Sequence, residues 1–213
     1  MADKAESHDH SLSTSRIEAF SDGVIAIALT LLVLELKVPM LVAGETAAQV
    51  WHTLSQLGPE FISFVLSFFV ICIFWVNHHQ FFHTLEKATR KLLWLNNLLL
   101  FWICFIPFPT AFLGRYPTNV VAVIVYGSVL CAAAISFSVM THYAMFRGNL
   151  MERHVDKKER KSAQHRSYWG ILLYGLSVVL APLSVFISLA IFCIVPLIYF
   201  VPRRVVYSDH ANG

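Results

Sequence analysis

The sequence predicts an all-α integral membrane protein with six transmembrane helices, on three observations. The chain is 57% hydrophobic, with a mean hydropathy of +0.63. Only 14% of its 213 residues are charged, against about 25% in an ordinary soluble domain. The charges are also segregated, with long uncharged blocks alternating with short polar segments. A bilayer core ~30 Å thick, which requires roughly 20 apolar residues per helix, produces that pattern.

The first span is expected at about 17–38, the second at 58–82, the third at 91–112 and the fourth at 119–146. The third should end at the Pro107 and Pro109 pair, since proline breaks helix interiors. Residues 167–202 carry no Asp, Glu, Lys or Arg and are too long for one span. Ala181-Pro182-Leu183-Ser184 lies near their middle, which favours two short helices joined by a tight turn. Five spans with one kinked last helix is the alternative.

Charge topology favours six. An even count places the N-terminus, 83–90, 147–166 and the C-terminus on one side, with fourteen of the sixteen Lys and Arg residues. Only Lys37 and Arg115 fall on the other side. Cytoplasmic loops carry the excess of basic residues, so both termini are expected in the cytoplasm of a multi-pass cell-membrane protein. The expected organisation is a polar tail over 1–15, a six-helix transmembrane domain over 16–204 and a short tail over 205–213. Residues 1–15 lack the basic-then-apolar layout of a cleaved signal.

His8 and His10 fit a solvated tail better than a metal site. The 147–166 segment mixes both charge signs and reads as a helical extension at the lipid surface, too short for nucleic-acid binding. Cys72, Cys104, Cys131 and Cys193 all fall within spans without a CxxC pair, so buried apolar packing is expected of them.

The first span carries the chemistry. It opens with Arg16, holds Asp22 within its first turns, and then runs apolar to Leu34 except for Thr30. An ionisable group inside a span is costly and marks function or a specific polar partner. At 100° per residue, Ile27, Leu31 and Leu34 share a stripe with Thr30 beside it, while Ser21 and Asp22 lie about 120° and 140° away. The Ser21-Asp22 face needs polar partners. The second span offers Trp75, Asn77, His78 and His79 at matching depth, where an N–H donor to the carboxylate satisfies both groups. A structural hydrogen-bond network, a proton relay, or a metal site using His78, His79 and His83 are all open readings. The Ile27 stripe, read alone, is one more lipid-facing or bundle-facing helix side.

Arg16-Ile17-Glu18-Ala19-Phe20-Ser21-Asp22-Gly23 resembles the RxxxFSDG signature that opens the first helix of the transmembrane protein 175 family. These are potassium channels of animal endosomes and lysosomes and their prokaryotic relatives. The Ile27–Pro39 run and Phe74-Trp75-Val76-Asn77-His78-His79-Gln80-Phe81-Phe82 are similar to that family as well. FSDG occurs once, which resembles the single-repeat prokaryotic form.

The resemblance implies a homotetramer in which four copies of the first helix surround a pore, with potassium as permeant ion and no cofactor. Ile27 would then form the constriction, Leu31 and Leu34 the path beyond it, and Thr30 the selectivity layer. Arg16, Phe20, Ser21 and Asp22 would belong to a structural network with Trp75 and His78 or His79. The partners implied are further copies of the chain, the lipid bilayer and permeant monovalent cations, with no nucleic acid and no metal. There is no carbonyl-filter loop of the Thr-Val-Gly-Tyr-Gly kind and no charge on the stripe. The neck would therefore gate by dewetting, with slow conduction and modest selectivity over sodium. Glu35 is read either as concentrating cations at the outer mouth or as pairing with Lys37 or solvent. A proton-permeable channel or a secondary transporter are the rival readings. An enzyme is not expected, because no nucleophile–base pair or metal-ligand spacing is present.

Overall fold

The computed structural model describes residues 14–41, 43–148, 150–151 and 157–200, with the side chains of 157–163, 166 and 200 left aside. His8, His10, Arg153, Arg203 and Arg204 lie outside the described residues, as do most of the two expected tails. Eight α-helices follow in order: α1 (Thr14–Leu32), α2 (Ala47–Ser55), α3 (Gly58–Phe82), α4 (Arg90–Phe105), α5 (Pro107–Arg115), α6 (Val120–His142), α7 (Lys157–Leu180) and α8 (Val185–Phe200). No strand is present among the described residues.

Among the described residues, four helical stretches are long and apolar enough to cross a membrane: Thr14–Glu35, Gly58–Phe82, Arg90–Arg115 and Val120–Arg147. Two shorter apolar helices, Ser167–Leu180 and Val185–Tyr199, flank the break at residues 181–184. At about 1.5 Å per residue they reach less than the full hydrocarbon thickness unaided.

The first helix begins at Thr14, inside the segment expected to be tail, and its α-helical part ends at Leu32, about six residues early. Beyond Leu32 a 3₁₀ turn covers Val33–Glu35, and Leu36 is extended. Pro39 lies close behind and disfavours helical backbone before it. The expected end of the third span at Pro107 is corrected. The helix breaks at Ile106, and Pro107 starts α5 at its first position, where the missing N–H costs nothing. The second span matches its expected bounds, with Pro59 in its first turn.

The sequence reading missed α2. Thr46 and Gln49 form a reciprocal capping box at its start, a signature legible as Thr-x-x-Gln. The polar residues before Ser167 do extend α7, which is helical from Lys157. The cysteines depart from expectation: none is fully buried, and Cys104 and Cys193 are exposed.

The core is built between α1, α3, α4 and α6, where Ile25, Leu32, Ile71, Leu92, Leu99, Ile103, Tyr126 and Leu130 are inaccessible. Polar ties cross it. The Ser67 hydroxyl lies 2.7 Å from that of Thr110 and 2.9 Å from that of Tyr126, joining α3, α5 and α6. Many large apolar side chains instead face outward, among them Phe61, Trp94, Phe101, Leu172 and Leu197. Such extensive exposed apolar surface marks contact with lipid or other subunits.

Candidate functional site

α1 divides its residues between two faces. Ile17, Ser21, Ile25, Ala28 and Leu32 recur every three to four positions and are buried against α3, α4 and α5. The opposite stripe runs Phe20, Gly23, Ile27, Thr30, Leu31 and Leu34 and is exposed along its whole length. Ile27 is 59% and Leu34 60% accessible, although both are aliphatic. The steps of three and four between 20, 23, 27, 30 and 34 keep these residues on one line of the helix. Nothing in the protomer covers that line, and a Cβ at Gly23 would meet no atom within 4 Å.

The hydroxyl of Thr30 donates to the Ile27 carbonyl at 2.9 Å. Its proton is thus turned into the helix, and its oxygen lone pairs remain available to a ligand on the exposed side. Charge is absent from the stripe until Glu35. Glu35 lines a cleft of about 470 Å³ with Lys37, Glu60, Arg115 and Tyr116 at the far end of the helix. The suggested pairing of Lys37 with Glu35 is replaced by a bond from Lys37 Nζ to the Leu34 carbonyl at 2.9 Å.

The buried face is fixed by a directional chain of hydrogen bonds. Ser21 donates its hydroxyl proton to the Ile17 carbonyl at 2.8 Å, so its oxygen accepts from Asn96 Nδ2 at 2.9 Å. The amide oxygen of Asn96 must then accept from His78 Nε2 at 2.8 Å, which assigns the proton to Nε2 of that imidazole. Ser21, Asn96 and His78 are all inaccessible to solvent. The chain joins α1, α4 and α3 in a place where unmet polar groups are expensive.

Around it, Trp75 Nε1 donates to Asp22 Oδ1 at 2.9 Å, while the Trp75 ring stacks on His79 with centroids 5.8 Å apart. His79 Nδ1 lies 2.9 Å from Glu18 Oε1.

Of the network residues named from the sequence, Ser21, Asp22, Trp75, His78 and His79 therefore gather between α1 and α3. Neither histidine bonds Asp22, whose partner is the indole. His78 turns to Asn96 and His79 to Glu18. Phe20 does not join this group. It is 58% exposed on the stripe of Ile27, because seven residues are close to two full turns. Arg16 is exposed and makes no ion pair among the described residues. Asn96 and Glu18 were missed, since their partners lie on other helices. The one available signal was that each is a polar group inside an apolar span.

Comparison with known proteins places this geometry. The family model described as "Endosomal/lysosomal potassium channel TMEM175" matches residues 16–107, which contain both faces and their partners. A protein of Chamaesiphon minutus named as a potassium channel is 40% identical over 193 residues, covering 89% of this chain and 94% of its own. The chain belongs to the TMEM175 family.

Its fold agrees. A crystal structure titled as a lysosomal potassium-selective channel TMEM175 homolog from Chamaesiphon minutus superposes with a TM-score of 0.77 at 35% identity. The match covers 87% of this chain and 95% of that one. Human TMEM175, named an endosomal/lysosomal proton channel, is 38% identical over 101 residues, 45% of this chain and 20% of the human protein. The TMEM175 family consists of membrane ion channels rather than enzymes, and this chain is a multi-pass member of it.

Proposed function

We propose that the protein is a potassium-selective channel of the cell membrane, formed by four copies whose α1 helices surround an axial path. The carrying observation is the bare stripe of α1. Ile27, Thr30, Leu31 and Leu34 are exposed on a helix whose opposite face packs against α3, α4 and α5. A ring symmetry presents the same stripe of each copy to the axis.

Ile27 is then the narrowest, water-repelling ring, and Thr30 is an oxygen ring roughly 4.5 Å further along at 1.5 Å per residue. The back-bonded Thr30 hydroxyl offers lone pairs to a partly dehydrated cation, while the apolar neck gates by dewetting. An oxygen ring of hydroxyls coordinates more weakly than stacked carbonyls, so preference for potassium over sodium is modest. Leu31 and Leu34 continue the path, and Glu35 stands at its far mouth. In this reading α7 and α8 supply the fifth and sixth spans, and the basic excess keeps both termini cytoplasmic.

The human relative's name favours a second reading, proton permeation. The buried chain from His78 through Asn96 and Ser21 is a poor route for it. It ends on the Ile17 carbonyl, which has no proton to pass on. Protons would have to use the same axial path as the metal ion. A secondary transporter would instead show saturable, coupled flux of two solutes.

The test is reconstitution into potassium-loaded vesicles, with valinomycin and a proton ionophore as controls. Potassium efflux that appears only with the protein, and exceeds sodium efflux, is the expected result. Efflux no faster than in empty vesicles, or flux carried by protons alone, would overturn the reading.

A further inference from the structure

One cluster of metal-ligating side chains lies at the edge of the network described above and shares His79 with it. Glu18 on α1 meets His79 and His83 at the end of α3, with one ligand atom from each residue lying within 4.8 Å of the other two. Glu18 Oε1 is 2.9 Å from His79 Nδ1 and 3.7 Å from His83 Nε2, while the other ring nitrogen of His79, Nε2, lies 3.2 Å from His83 Nε2. Donors at the corners of a zinc tetrahedron, each about 2.0–2.1 Å from the ion, sit roughly 3.3 Å from one another. The two separations from Glu18 Oε1 bracket that value.

A second observation concerns the closest pair. Glu18 Oε1 and His79 Nδ1 are both shielded from solvent, yet neither makes a hydrogen bond. They approach without the alignment that an N–H donor to a carboxylate adopts. His79 and His83 are four residues apart, on one helix face, a spacing that suits two imidazole ligands to one ion. Their rings pack edge to face with centroids 4.4 Å apart.

Access is open on one side only. Glu18 is largely covered, whereas the His83 side chain is 64% exposed, which leaves room for a water as fourth ligand. The chemistry of two imidazoles and one carboxylate suits a first-row divalent ion of the zinc kind rather than magnesium or calcium.

We propose that Glu18, His79 and His83 form a binding site for Zn²⁺ or a similar transition-metal ion, clamping the first turns of α1 to the last turn of α3. The consequence for permeation rests on the channel reading, because α1 is the helix assigned to the axial path. The binding itself does not, and the two fail separately.

Tag-free protein in detergent, stripped with EDTA, is titrated with zinc chloride by calorimetry, and its thermal unfolding is followed with and without zinc. One zinc per protomer, with micromolar or tighter affinity and a raised melting temperature, is expected. Glu18→Gln and His83→Ala should each weaken binding at least tenfold while leaving the zinc-free melting temperature within a few degrees. A His8→Ala/His10→Ala variant should bind as the parent does. No binding, undiminished affinity in either Glu18→Gln or His83→Ala, or binding lost with the tail histidines would overturn the proposal. In those cases the pair is an ordinary carboxylate–imidazole contact.

Discussion

Asn96 connects helices that would otherwise meet only through hydrocarbon, receiving His78 on one atom and serving Ser21 with another. Replacing it by Ala strands two fully buried polar groups, each at a cost of about 1–3 kcal/mol. Asn96→Ala should therefore lower the thermal midpoint of the detergent-solubilised protein by several degrees, and an unchanged midpoint would mean that water reaches His78. Asp22→Ala removes the acceptor of the Trp75 indole. It should impair assembly or stability more than ion preference, read by size-exclusion profile and reversal potential. A stable Asp22→Ala assembly with altered selectivity would place Asp22 on the ion path. On the opposite face, Ile27→Asn hydrates the neck and should raise potassium flux severalfold; a smaller flux from well-assembled protein would remove Ile27 from the constriction. Asp22 and Trp75 were legible in advance as acceptor and donor at one depth. Asn96 and Glu18 were not, because spacing within two helices says nothing about which side chain a third helix brings between them.

At the level of elements, α1 works because its two periodicities do not collide. Ser21, Ile25, Ala28 and Leu32 hold it to the protomer, while 20, 23, 27, 30 and 34 stay bare. Only a helix, with neighbours at three and four, can present both patterns at once. α3 and α5 meet at a closer approach. A Cβ on Gly114 would lie 2.6 Å from Ser63 Oγ and 2.9 Å from the Glu60 Cα, and backbone yields poorly. Gly114→Ala should accordingly cost about 1–3 kcal/mol through overpacking, with thermal unfolding as the check. A neutral outcome would show that α5 can slide. Proline chemistry explains what was and was not readable here. α3 opened where expected, with Pro59 in its first turn, but Pro107 began a new helix instead of closing the span, since the first position of a helix needs no N–H. The short helix α2 escaped because nine residues give too brief an apolar period, although its Thr46 cap was in plain view.

For the whole molecule, the segregation of charge told of a membrane protein before any motif did, and the split near Pro182 told of two closing helices. What the pattern did not carry was depth. α7 and α8 have apolar stretches shorter than a full span, so how they sit in the bilayer depends on neighbours that no periodicity names. Assembly lies at the same scale. An aliphatic stripe left open on a helix whose opposite face is buried calls for company of its own kind, and Thr30 in that stripe should govern preference among monovalent cations. Thr30→Ala is expected to reduce the potassium-over-sodium ratio in bi-ionic reversal potentials by a factor of two or more; an unaltered ratio would move selection elsewhere. The most direct measurement is a density map of the assembled particle in lipid. The account expects four protomers about one axis, with the Ile27 side chains converging on it and Thr30 one turn along. Ile27 pointing into lipid, with no tunnel between protomers, would contradict it.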